Sequence, residues 1–542
     1  MLQNLGTLRR GLIRHWSWPS CREAVHVRPS ASQCCLYGRT YNAASARSCS
    51  SWARHCQPRV SAVFPGRPLS ARGLFTMPTQ STVADLARMA MGVAGFLAFD
   101  QVVCGAMDAS GLSAYLPKQI GSMLSAFACL STASVVAPQP VAALHAALLP
   151  GVGWVSRWLP VFLVPVQVML PTIDFPGGAR EAAGLGLLLA GGWLGALVVS
   201  ARLCRLLQSA LRIAAPPAPP SAAAPAAARS LQLPAFWLLL AALAFPLGVG
   251  SSAGDAPDAG AADTDAATGS QAARSARGFC LAALGVGSYA LALQRRLAGH
   301  LCFLACGGAT IAGAALMAAV RGETYTEVVK RDYLTRGVGG KGSGDMLIWC
   351  LGPALVATGV QMFQFRARIR ALSAVLLGTC AVGSLVNILG TVAVAPMLGI
   401  SPEVSLAATM RCVTIPMALP THAMLCDAAH IEADVGFVAL CAGVSGFLGF
   451  GLSRAVLSSA ACSAPLAEPV TRGIATGISA HALGSATFAA AEPEAFVWGM
   501  LAMAASGVAS AAWICACPPV RDLTISLAKR GAVEPASPSS GQ

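Results

Sequence analysis

The chain has 542 residues, of which 55% are hydrophobic and only 11% charged, and its mean hydropathy is +0.63. Soluble domains carry about 25% charged residues, so this composition excludes a soluble globular protein and points to a polytopic membrane protein. The formal net charge of +14 is no argument for a nucleic-acid partner, because residues 1–80 hold eleven arginines and one acid, Glu23, and so supply +10 of it.

Those first 80 residues are rich in Arg and Ser, poor in acids and without a sustained apolar run. They fit an organellar transit peptide and not a secretory signal; an N-terminal regulatory tail is the alternative. Apolar stretches of about 20 residues, the length needed to cross a bilayer core, follow near 84–106, 116–136, 156–173 and 181–207. The third is short, and Pro160, Pro165 and Pro171 predict a kinked or re-entrant segment. A Pro/Ala run opens residues 214–233, which read as a stiff linker, so the membrane region divides into 81–213 and 234–529. The second part shows stretches near 234–250, 278–294, 300–320, 345–363, 371–398, 402–425, 434–457, 470–490 and 494–517, for about 12–13 spans in all. Ser251–Gly278 reads as a solvated loop and Arg366–Arg370 as a tight basic loop. Residues 530–542 read as a disordered tail. The 19 cysteines are scattered, and Cys34-Cys35 and Cys515-Ala-Cys517 lack zinc-ligand spacing. No metal or cofactor is expected.

Two segments are unusual for membrane spans. In 402–425, Ser401-Pro402-Glu403 gives a helix start, and Arg411, Thr414, Pro416 and Pro420 follow. The two prolines predict a break, with Arg411, Thr414 and Ala418 on one face. In 470–490, His481 lies among Gly473, Gly477, Ser479, Gly484 and Ser485. Gly477, His481, Gly484 and Ser485 share one face of a continuous helix. If the helix breaks, Ser479 caps a half-helix with His481 in its first turn. Interrupted helices that meet at mid-membrane mark transporter binding sites, and ionisable groups at that depth line pathways. The bland alternatives are two kinked packing helices, a structural histidine bonded to a neighbouring helix, and an Arg411 that snorkels or pairs with Glu403.

An enzyme reading has one foothold. Gly342-Ser-Gly-Asp345 and Pro353-Ala-Leu355 match motifs of intramembrane aspartyl proteases, but that chemistry needs a second aspartate close enough to share a proton. The best candidate, Asp100, lies beyond the linker, and Asp345 reads better as a helix-start residue. Neither a P-loop nor a His-Glu-x-x-His motif is present, so no enzymatic activity is expected.

Met410-Arg411-Cys412-Val-Thr414-Ile-Pro416, together with Arg472-Gly-Ile-Ala-Thr-Gly477 and Ser479-Ala-His481-Ala-Leu-Gly484-Ser485, resembles the LrgB/CidB family of membrane proteins. The form resembled is the one fused behind an LrgA-like half, as in plastidial glycolate/glycerate translocators of plants and algae. Glu492-Pro-Glu-Ala495, Pro518-Pro-Val-Arg521 and Gly342–Pro353 extend the resemblance over about 345–521. Leu116-Pro117, Gly121, Phe162–Pro165 and Met169 resemble LrgA. The chain departs from bacterial relatives at Met410 (proline there), Cys412 (serine), Ile415 (threonine) and Ser485 (threonine), which puts the substrate in question. The resemblance implies an all-α fold, an LrgA-like bundle followed by an LrgB-like bundle with inverted repeats. It further implies exchange of glycolate for glycerate across the plastid inner envelope in photorespiration, with the mitochondrial inner membrane as the alternative location. The expected partners are those two anions and the bilayer, with self-association into a homo-oligomer allowed. On this reading Arg411 takes a carboxylate, Thr414, Ser479 and Ser485 the hydroxyl, Gly484 lines the site, and His481 carries a coupled proton. A holin-like, channel-forming or regulatory assembly is the rival.

Overall fold

With no water in a bilayer core to satisfy backbone N–H and C=O groups, an apolar chain of this kind must satisfy them within helices or a closed barrel. The computed structural model shows helices and no strand among the described residues, which are 80–114, 116–172, 178–213, 234–249, 264–295, 297, 299–335, 342–459, 468–489 and 491–530. The expected leader (but for its last residue), the linker and all but the first residue of the tail lie outside them.

The first part contains α1 (Gln80–Ala109), α2 (Lys118–Val136), α3 (Pro138–Phe162), α4 (Val164–Met169) and α5 (Ala179–Ala210). The third span starts at Pro138, 18 residues before the expected 156. Pro138 occupies the first turn, where its missing N–H costs nothing, and Pro150 is absorbed inside α3. The expected kink falls at Leu163, between α3 and α4.

After the linker come α6 (Pro234–Val249), α7 (Thr264–Gln294), α8 (Gly299–Arg321), the single turn α9 (Tyr325–Val328), α10 (Ser343–Trp349) and α11 (Leu351–Met362). The solvated loop expected over 251–278 is half wrong, because α7 begins at Thr264. Its alanines favour helix, and Arg277, fully buried, forms an ion pair with Asp332 at 2.9 Å. Asp345 starts α10 as expected: its carboxylate accepts from the Gly342 and Thr335 N–H groups at 3.0 and 2.8 Å. Asp100 lies instead against Gly352, two turns further along.

The rest is α12 (Arg366–Val394), α13 (Pro402–Thr409), α14 (Ile415–Ala429), α15 (Val435–Ser458), α16 (Pro469–Ser485), α17 (Pro493–Cys515) and α18 (Pro518–Lys529). The basic loop expected at Arg366–Arg370 is the first turn of α12. Arg366 lies 4.1 Å over the Phe363 ring, and the buried Arg368 pairs with Glu494 at 3.0 Å. A side-chain partner on α17 for Arg368 thus buries part of an apparent loop in a helix start.

Among the described residues, nine helical segments are long and apolar enough to cross a membrane. One of them, Ser343–Leu398, has 56 residues and bends at Phe363–Phe365. The two unusual segments are not among the nine. The two parts of the chain interleave. α11 packs among α1, α2 and α3, while α5 lies against α12 and α16 of the second part.

Candidate functional site

Both interruptions lie at buried positions, and they meet. In the first, the chain leaves the helix at Met410 and resumes at Ile415. The break thus precedes Pro416, which sits in the first turn of α14, and Pro420 is carried inside that helix. The continuous face expected for Arg411, Thr414 and Ala418 does not exist. In the second, Ala480 (φ −145°, ψ 18°) and His481 (φ 44°, ψ −147°) leave helical geometry within α16. Positive φ in a histidine is strained backbone, persisting where surroundings over-determine it. The Cys412 thiol donates to the Ser479 carbonyl at 3.0 Å and lies 3.4 Å from Asn387 Oδ1 on α12, tying the breaks together.

Small residues allow this crossing. A Cβ on Gly449 of α15 would meet Ala480 Cβ and come 3.2 Å from Gly484 Cα. A Cβ on Gly477 would strike the Gly499 carbonyl oxygen of α17, and one on Gly473 that of Ala495. The Gly473–Gly477 pair is therefore the seam between α16 and α17.

The six expected site residues divide into two groups. Ser479, His481, Gly484 and Ser485 hold the second break. The His481 Nε2–H donates to the Ala442 carbonyl of α15 at 2.9 Å, and its Nδ1 accepts from the Leu483 N–H at 3.4 Å. Both ring nitrogens thus serve backbone groups, and His481 itself caps the half-helix, the place expected for Ser479. Ser479 instead donates to the Thr476 carbonyl at 3.4 Å, Ser485 donates to the His481 carbonyl at 2.9 Å, and Gly484 provides the close approach to α15.

Arg411 and Thr414 are different. Arg411 is 3% exposed. Its guanidinium donates to the Thr391 hydroxyl and reaches the Ala408 carbonyl at 3.5 Å, while Nε has no partner. Among the described residues no carboxylate pairs with it, Glu403 included. A buried cation without a counter-ion costs several kcal/mol. Thr414 stands at the N-cap of α14 without making a capping bond, and its buried hydroxyl also lacks a partner. The start of α14 adds partial positive charge. Cation, hydroxyl and helix start thus leave donors without protein acceptors at this break.

Sequence reasoning missed Asn387, Thr391 and Trp193. Asn387 and Thr391 are buried on α12 one turn apart, and polar residues at i, i+4 inside an apolar span were a usable signal. Trp193 on α5 lies next to Gly192, where an added Cβ would stand 2.6 Å from the Arg411 guanidinium; the Trp193 indole N–H is buried without a partner, 3.5 Å from where a Gly449 Cβ would stand.

The span holding both breaks matches a known family. Residues 341–519 match the LrgB-like family. This LrgB-like segment contains α10 to α17, hence Arg411, Thr414, Asn387 and the whole of the second break; Gly192 and Trp193 reach it from outside. Over 457 residues the chain is 24% identical to plastidal glycolate/glycerate translocator 1, chloroplastic, of Arabidopsis thaliana, covering 82% of each protein. That similarity runs well beyond the LrgB-like segment. No solved structure matches the chain.

Proposed function

We propose that the protein is a secondary carrier for small 2-hydroxycarboxylates, exchanging glycolate and glycerate across the plastid inner envelope. The single observation that carries this reading is the buried Arg411 guanidinium, without a carboxylate partner, at the meeting point of two interrupted helices. A monocarboxylate supplies the missing charge: the planar guanidinium matches its two oxygens, and Thr414 faces the 2-hydroxyl. The similarity to a plastid translocator of these same anions supports the choice of substrate and of membrane. The expected leader, LrgA-like half (81–213), linker and LrgB-like half (234–529) form the domain plan of this carrier.

Ser479, Gly484 and Ser485 then shape the site through the second break. His481 takes up a coupled proton on Nδ1 only when that nitrogen releases the Leu483 N–H, while Nε2–H keeps its bond to Ala442, which ties protonation to opening of the cap of the half-helix. Replacing His481 by Gln flattens the pH dependence of uptake on this account; an unchanged profile removes His481 from coupling. The experiment that tests carriage itself is labelled glycolate uptake into proteoliposomes preloaded with glycerate, beside empty ones. Stimulation by internal glycerate is expected. Equal uptake in both points to a channel-like assembly and contradicts exchange.

A further inference from the structure

A second basic feature lies away from Arg411. A cavity of about 570 Å³ opens where α7 gives way to α8 and where α15 ends, and Arg157, His300, Arg454 and Thr487 are among its lining residues. None of the lining residues is acidic. Arg454 is committed, pairing with Glu492 at 3.0 Å, and Glu492 also binds Arg472 of α16 at 3.2 Å. Arg157 pairs with no carboxylate among the described residues, and its backbone is fixed by the Tyr289 hydroxyl, which donates to the Arg157 carbonyl at 2.8 Å. Gly299 and His300 form the first turn of the 23-residue α8, so the positive end of that helix faces the same space. Ala486 and Thr487 also line it, in the turn that continues the half-helix His481 caps.

We propose that this cavity is an outer binding station for small carboxylate anions, held chiefly by Arg157, on the way to the crossing of the two breaks. Low-dielectric walls of one charge sign focus the field and concentrate anions at a mouth. A two- or three-carbon acid fits the volume with part of its hydration. Only the identity of the anion rests on the transport reading; the anion preference of the cavity does not. The phosphate of an acidic lipid headgroup shares the same chemistry, so the test separates the two sources.

The test uses the full chain with Thr487→Cys, or Ala491→Cys as a second reporter on the same wall, in liposomes of neutral phosphatidylcholine. Alkylthiolation at that position is followed by peptide mass spectrometry with an anionic and a cationic methanethiosulfonate. The anionic reagent is expected to react about tenfold faster. Glycerate should slow it, and Arg157→Gln should bring the two rates together while Arg157→Lys keeps them apart. Equal rates, or a faster cationic reagent, with Arg157 intact would overturn the proposal. Protection by added phosphatidylglycerol but not by glycerate would overturn it in favour of a lipid site. If glycerate protects Thr487→Cys while glycerate-preloaded liposomes show no exchange, the cavity proposal stands and the transport reading falls.

Discussion

Replacing Gly477 by Ala tests the seam on which the crossing depends. The added Cβ points at the Gly499 carbonyl oxygen of α17 and stands 2.9 Å from Ala502 Cβ. Neither is the far end of a flexible side chain, so the clash is relieved only if α16 and α17 move apart. Overpacking of a well-packed interface costs about 1–3 kcal/mol. Against this, Ala favours a helix over Gly by about 1 kcal/mol. Gly186→Ala isolates that gain, since a Cβ there meets nothing within 4 Å. Denaturant unfolding in micelles should therefore place Gly477→Ala below wild type and Gly186→Ala at or above it. Uptake should fall in the first variant, because widening the seam shifts Ser479 against Cys412. Were Gly477→Ala as stable as Gly186→Ala, α16 and α17 would not meet through this glycine, and the geometry derived for the second break would be wrong.

Asp332 pairs with both the buried Arg277 and Arg331, at 2.9 and 3.1 Å, so Asp332→Asn alone should cost about 3 kcal/mol, Arg277→Gln less, and part of the Asp332→Asn cost is recovered in the Arg277→Gln double variant, as read by a double-mutant unfolding cycle. The Arg331 guanidinium, with Arg321, holds the Glu323 carboxyl below its ordinary value of 4.5. Its stabilising contribution is therefore complete above pH 4.5 and lost as the pH falls through the lower, folded-state value. Glu323→Gln should flatten the acid limb of a stability-versus-pH curve and leave the neutral region with a constant offset. Thr391→Val removes a hydroxyl that Arg411 donates to while keeping the volume, and should weaken glycolate uptake by about tenfold, equivalent to about 1.4 kcal/mol.

The sequence made the elements around the site readable because membrane helices announce themselves by length and apolarity, and because Pro and Gly mark interruptions. Pro416, Gly477 and Gly484 pointed to the right segments. They did not give the position of the first break, because a proline in the first turn ends nothing: the chain departs at Met410, where α12 supplies Asn387 and Thr391 as partners. His481 was legible as unusual but not as the capping residue, since its role depends on a carbonyl of α15 that no local pattern reveals. The two misread loops share a cause. Arg277 and Arg368 look solvent-seeking alone, and Asp332, 55 residues away, and Glu494 on α17 place them inside the fold.

The central claim is that Arg411 receives the carboxylate of a transported 2-hydroxy acid. Counterflow of labelled glycolate into glycerate-loaded proteoliposomes, comparing wild type, Arg411→Lys and Arg411→Gln, tests it most directly. Loss of exchange in Arg411→Gln with the protein still folded, and partial retention in Arg411→Lys with a raised KM, is the predicted result. Undiminished exchange in Arg411→Gln would contradict the account.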